Sequence, residues 1–206
     1  IDFQSAILDL GGYLRPTIDS FPSDPNHSFL KPDPERIVFW KERMEALGPQ
    51  PKVGMIWQST KAAGGRGRWG ATVEELAPIL SIKGIDFVNL MYVECNEDRA
   101  KMLELYGVNL HTWDDIDLRN DQDDLCALIS NLDLVISHAS SVAYTAGGLG
   151  IPTFNFLPVK IYFDLLGNPD APGWSPSMRY FRKNIHEDWD GPFNEIAEEI
   201  RAKFGL

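Results

Sequence analysis

Long apolar runs are missing from this chain of 206 residues. No stretch of about 18 consecutive apolar residues occurs, which excludes a membrane-spanning helix. Basic charge is scarce: 19 Lys and Arg stand against 30 Asp and Glu, a formal net charge of −11. Such a balance argues against a protein that grips nucleic acid by its phosphates, although a local basic patch can still hold a small anion. Cysteine is nearly absent. Cys95 and Cys126 have neither CxxC spacing nor flanking His, so they read as ordinary cytosolic thiols near the core, and the chain is expected to be cytoplasmic. The first residue is Ile1, with no Met and no basic-plus-apolar leader, the look of a fragment or processed product without a signal peptide.

Three phosphate and metal signatures are missing or out of place. No GxxxxGK[ST] is present, and no GxGxxG directly follows the first apolar strand (the spacing at Gly65, Gly67 and Gly70 begins eight residues beyond Trp57), so neither a Walker loop nor an NAD site is expected. The run Asp114 to Asp124 holds six Asp but no DxDxDG spacing, and it reads as a solvated loop. No metal site is assigned.

Apolar residues make up 44% of the chain, enough for a real core and against wholesale disorder. Residues 1–34 are rich in Pro, with Gly11-Gly12, and read as an extended arm. Asp33-Pro34-Glu35 opens a helix with an N-cap, a Pro in the first turn and an acid at the positive end. Ile37, Phe39, Trp40, Met44 and Leu47 give that helix an apolar face, and Gly48-Pro49 end it. Residues 1–50 are therefore expected to be an arm and linking helix, and residues 51–206 the main domain.

In that domain short apolar strands alternate with helical patterns. Strands are expected at Val53–Trp57, Asp86–Met91, Val108–His111, Leu132–Ser137 and Thr153–Leu157. Helices are expected at Thr72–Leu80 (a Thr72/Glu75 capping box), Glu97–Tyr106, Asp123–Asn131, Ser141–Leu149 and about Pro192–Phe204. The stretch holding Trp174, Tyr180, Phe181 and Trp189 reads as irregular. Strand–helix–strand units with short connections imply an α/β fold, a Rossmann-like open parallel sheet with helices on both faces.

Ligands of such sheets bind beyond the carboxyl ends of the strands. His138-Ala139-Ser140-Ser141 joins a strand to a helix there, so Ser140 or Ser141 can cap the helix and leave its first amides to an anion. Small residues at Ala143, Ala146, Gly147 and Gly148 keep the helix slim against the sheet. The alternative is that Ser only caps and Gly and Ala only pack. After Trp57, Gln58, Lys61, Arg66 and Arg68 fall within eleven residues among glycines, a pattern suited to a pyrophosphate or simply to a solvated loop. Tyr92, Glu94 and Asn96 follow the second strand and can face a base or ribose; a lid on the core is an equal reading for Tyr92. His111 and His138 stand alone, a pattern that fits structural histidines better than catalytic ones.

Several of these motifs together resemble a known group. They are Asp33-Pro-Glu-Arg36 with Trp40, Lys52-Val-Gly-Met-Ile-Trp57, Leu132-Asp-Leu-Val-Ile-Ser137, Ser140-Ser-Val-Ala143, Ala146-Gly-Gly-Leu-Gly150, Pro152 and Trp174-Ser-Pro-Ser-Met-Arg179. From about residue 20 to its end the chain resembles the C-terminal, nucleotide-sugar-binding half of GT-B glycosyltransferases. It is most similar to heptosyltransferase-like (family nine) domains that follow tetratricopeptide repeats in bacterial proteins, and is distantly similar to O-GlcNAc transferases.

The resemblance implies a nucleoside diphosphate sugar as donor, bound by Ser140, Ser141, Val142 and Tyr144 of the helix turn. It also implies donor contacts from Trp57, Gln58, Lys61, Arg66 and Arg68, with Tyr92 and His138 at the same edge. It implies no separate cofactor, an unknown acceptor, and an N-terminal half of the same protein that completes a hexosyl- or heptosyltransferase-like enzyme; the isolated chain is expected to be inactive. The family usually carries Asp at the position of Ala139, His at that of Tyr144, and Arg or a small residue followed by Gly at Gln58-Ser59. These departures leave a second reading, a non-catalytic nucleotide-binding or scaffold module of a repeat protein with a degenerate active site.

Overall fold

The computed structural model describes residue 4 and residues 9–58, 70–158, 173–184 and 186–206. Five strands form one parallel sheet: β1 (Lys52–Ile56), β2 (Asp86–Asn89), β3 (Leu134–His138), β4 (Thr153–Leu157) and β5 (Met178–Arg182). Their order across the sheet is β2-β1-β3-β4-β5, each pair parallel. The helices are α1 (Asp9–Leu14), α2 (Pro34–Glu45), α3 (Ala77–Leu80), α4 (Asn96–Tyr106), α5 (Gln122–Ile129), α6 (Ser141–Gly148) and α7 (Asp190–Phe204).

The central strands β1 and β3 are buried at every position because helices cover both faces. Neighbouring residues of β4 show the two sides. Phe156 packs edge-on against Trp189 and Phe193 of α7, whereas Leu157 joins Ala143 of α6, Met178 and Tyr180. α6 lies on β3 and β4 with α5 beside it, and α2 packs on α5. α7 lies on β5 and against α3.

Local capping chemistry decides the helix starts. Asp33 accepts from Glu35 N at 2.8 Å, Asp121 accepts from Asp124 N, and Gly107 closes α4 at φ 68. The Thr72/Glu75 capping box forms in both directions, at 2.8 and 3.2 Å, yet it opens a series of turns and α3 proper begins only at Ala77. Pro78 has no N–H to donate to Glu74, which breaks the ladder there.

Two strand expectations change. Val108–His111 contributes only an isolated parallel bridge, His111 to Val88. The fifth strand is instead Met178–Arg182, inside the tail expected to be irregular. Arg179 and Arg182 sit on an edge strand and hide its apolar pattern, while Met178, Tyr180 and Phe181 are buried.

Of the α6 glycines, Gly147 keeps the helix slim against Ser175 and against Met178 of the sheet, whereas Gly148 serves a different purpose from that expected. Ala143 and Ala146 are fully buried. A Cβ on Gly147 would lie 2.8 Å from Ser175, and one on Gly148 would lie 2.9 Å from Leu30. The arm passes there, with Phe29 and Leu30 donating to Gly148 O at 2.9 and 3.0 Å. Gly150, at φ +74, lies against the carbonyls of Asn26 and His27. Gly150→Ala is expected to cost about 1–3 kcal/mol, from the left-handed backbone and that contact together. A urea midpoint unchanged from the parent would disprove it.

Candidate functional site

The chain leaves β1 toward β2 on one side and later returns to β3 on the other. The carboxyl ends of β1 and β3 therefore flank a topological switch point, the place where open parallel sheets leave a crevice. Gln58 emerges from β1 and His138 ends β3 at this point.

On the β3 side, Ser140 takes the cap position with extended backbone, φ −145 and ψ 166. Its Oγ accepts from Ala143 N at 3.4 Å and lies 2.9 Å from Ser137 Oγ, which donates to His138 O at 2.6 Å. A hydroxyl has one proton, so the direction follows: Ser140 donates to Ser137, and Ser137 to the carbonyl. The cap thereby uses its lone pair on Ala143 and leaves the N–H groups of Ser141 and Val142 without a partner among the described residues. Ser141 is exposed and Val142 buried, so the two amides sit at the rim of the crevice. Tyr144, one turn up the helix, is partly exposed.

On the β1 side, the backbone at Trp57-Gln58 is held to that at Gly70-Ala71. Trp57 O accepts from Ala71 N at 2.9 Å, and Gln58 Nε2 donates to Ala71 O at 3.2 Å. Trp189 Nε1 donates to Gly70 O at 3.1 Å, and a Cβ on Gly70 would stand 2.8 Å from Trp57 O. Only glycine lets these two stretches close. Lys61, Arg66 and Arg68 lie outside the described residues. The Trp57 side chain is fully buried, and its indole donates to Asp98 Oδ2 at 2.8 Å; it packs under the crevice rather than lining it.

The two sides meet through His138. This residue is 3% exposed, with Nε2 3.0 Å from Gln58 O and Nδ1 3.1 Å from Ala139 O. Burial holds its pKa below the ordinary imidazole value, against the pull of the two carbonyls.

At the carboxyl end of β2, a cleft of about 380 Å³ is lined by Tyr92, Cys95, Arg99, Trp113 and Arg119 among others. Asn89 shapes its floor: its Oδ1 accepts from Met91 N at 3.0 Å. Burial raises the Cys95 thiol pKa and keeps it protonated, which makes it a poor nucleophile. Tyr92 and Glu94 were legible as edge residues; Arg99, Trp113 and Arg119 were not. A Trp just before the acidic run from Asp114 to Asp124 and an Arg inside it were the available signal. His111 stands elsewhere, 3.5 Å from Asp86 at the opposite end of β2.

No protein-family model matches the chain. It is 37% identical over 200 residues to protein FlbA of Caulobacter vibrioides, which covers 97% of this chain and 33% of FlbA. The chain thus spans about a third of the length of that relative. Among solved structures, it is similar to E. coli ADP-heptose lps heptosyltransferase II, with TM-score 0.56 and 14% identity over 93% of this chain and 57% of that one. E. coli heptosyltransferase WaaC with ADP gives 0.51 and 12% over 79% and 48%. The glycosyl transferase family 9 protein of Veillonella parvula gives 0.52 and 12% over 89% and 47%. At such identities the likeness is one of fold. The domain is an α/β unit with a five-stranded parallel sheet, matching about half of a GT-B glycosyltransferase.

Proposed function

We propose that this domain binds a nucleoside diphosphate sugar and is the donor half of a GT-B glycosyltransferase, acting with an N-terminal half of the same protein that also carries tetratricopeptide repeats. The observation that carries the reading is the pair of free amides, Ser141 and Val142, at the switch-point crevice. They begin a helix of eight residues, whose dipole adds to their pull on a negative group.

A second feature gives the ligand its length. The cleft at β2 stands two strand spacings from β3 along the same edge, about 10 Å at 4.8 Å per strand. That distance suits a nucleotide whose base lies near Tyr92 and Trp113 and whose diphosphate reaches the α6 turn. Glu94 at the cleft is an acceptor for ribose hydroxyls. The structural likeness to WaaC, a structure with ADP, supports the same ligand class. Lys61, Arg66 and Arg68 follow Gln58 in the sequence and are the cations assigned to the ligand in this reading.

In transfer, the leaving nucleoside diphosphate gains negative charge as the sugar–oxygen bond breaks. Fixed N–H donors aimed at that charge stabilise it more than they stabilise the bound donor. Titration calorimetry with ADP, GDP, UDP and their sugars tests the binding step. Diphosphates are expected to bind at millimolar concentration or below, and bare nucleosides at least tenfold more weakly. Folded protein that binds none of them would rule the reading out.

The second reading is a binding or scaffold module without catalysis. Ala139 and Tyr144 favour it, because neither supplies the carboxylate or imidazole expected at those positions from the resemblance. Donor turnover by the full-length protein, abolished by a change at Ser141, excludes this alternative; tight nucleotide binding with no turnover supports it.

A further inference from the structure

His138 carries more than a packing role. Its buried ring is the direct link between the exit of β1 and the turn before α6: Nε2 faces Gln58 O at 3.0 Å and Nδ1 faces Ala139 O at 3.1 Å. Both carbonyls only accept. A neutral imidazole has one N–H, so it can hold one of them while its other nitrogen turns a lone pair toward the second. Only the imidazolium donates to both. The surroundings of the ring oppose that charge. It packs beside Phe156 at 6.5 Å, with Trp189 and Phe193 behind that ring. No charged side chain on the described residues contributes to its shifted pKa, which burial lowers.

We propose that His138 is a proton-linked positioning residue, whose imidazolium joins Gln58 at the exit of β1 to the turn before α6 when an anion occupies that turn. This rests on the proposed diphosphate ligand. The anion at Ser141 and Val142 stands three to four residues along the chain from His138, whose ring is buried and poorly screened, and it favours a positive ring. With both N–H groups donating, Gln58 is held to the Ala139 turn. Without an anion the ring is neutral and one side of the link is lost. Binding therefore takes up a proton. The sign follows: the bound form has the higher His138 pKa, so affinity is greatest at low pH. It falls by up to tenfold per pH unit between the free and bound pKa values.

The test is calorimetry of the folded chain with ADP-glucose, UDP-glucose and GDP-mannose at pH 7 in buffers of different ionisation enthalpy. Sugar nucleotides are suitable probes because a diphosphate diester does not titrate near neutrality. A fractional proton uptake is expected for the parent and none for H138Q, whose amide donates one hydrogen bond but takes no proton. H138Q is expected to bind 3- to 30-fold more weakly at pH 6 and nearly equally at pH 8. Binding without uptake, or with equal uptake in H138Q, overturns the link and leaves the nucleotide reading standing. No heat with any of the three overturns that reading, and the link falls with its ligand. If H138Q does not fold, nitrogen shifts of the parent ring decide. Both ring nitrogens protonated in the complex support the link, and a single neutral tautomer there overturns it.

Discussion

Replacing Asp124 by Ala is expected to lower the stability of this domain by about 3 kcal/mol. Asp124 sits in the first turn of α5 and is 5% exposed. Its Oδ1 accepts from the indole of Trp40 at 2.7 Å and from Arg36 Nε at 2.6 Å. Trp40 is fully buried and contacts Trp113 edge-on at 5.2 Å. Removing the carboxylate strands the indole N–H in an apolar place, which by itself costs about 1–3 kcal/mol. The Arg36 contribution is smaller, since its side chain is 37% exposed and recovers water. Asp124→Asn keeps an acceptor for the indole and is expected to lose roughly half as much. Urea unfolding of the three proteins measures this. A loss below 1 kcal/mol for D124A would show that α2 is held to α5 by apolar packing alone.

The second large effect concerns the ligand rather than the fold. Ser141→Glu places a carboxylate at the first residue of α6, beside the amides assigned to the diphosphate. An acid in the first turn suits the helix dipole, so stability is expected to hold or rise by about 0.3–1 kcal/mol. Ser141 is exposed, and the longer side chain meets no packed neighbour to strain. The same charge repels the ligand and occupies its donors. Affinity for a nucleoside diphosphate is expected to fall at least 100-fold. Most substitutions that destroy binding also weaken folding, so the opposite signs are diagnostic. Unchanged affinity in S141E, measured beside its melting temperature, would move the diphosphate away from α6 and remove the main support for the proposed function.

The two predictions differ in how far the sequence alone foresaw them. The α6 turn was legible residue by residue. A buried strand, two serines and a Gly/Ala helix define a cap and its free amides from local rules, and the structure places the cap on Ser140. The Asp124 contact was not legible. Trp40 and Asp124 are 84 residues apart, and Asp124 lies within an acidic run that composition marks as solvated.

The sequence by itself determined the α/β class, four of the five strands to within two residues, the helix start at Asp33, and the α6 start to within the pair Ser140 and Ser141. All of these follow from side-chain periodicity and from bonds between residues two or three apart, which every segment carries with it. Only the tertiary structure decided the rest. Met178–Arg182 is a strand because β4 offers an open edge, and its own pattern, with Arg at two of five positions, does not announce it. Val108–His111 has strand composition but makes one bridge. Gly148 and Gly150 admit the arm, and His138 joins β1 to β3, because chain crossings bring distant backbone within 3 Å. Such contacts depend on where other segments lie, and that is information no local window contains.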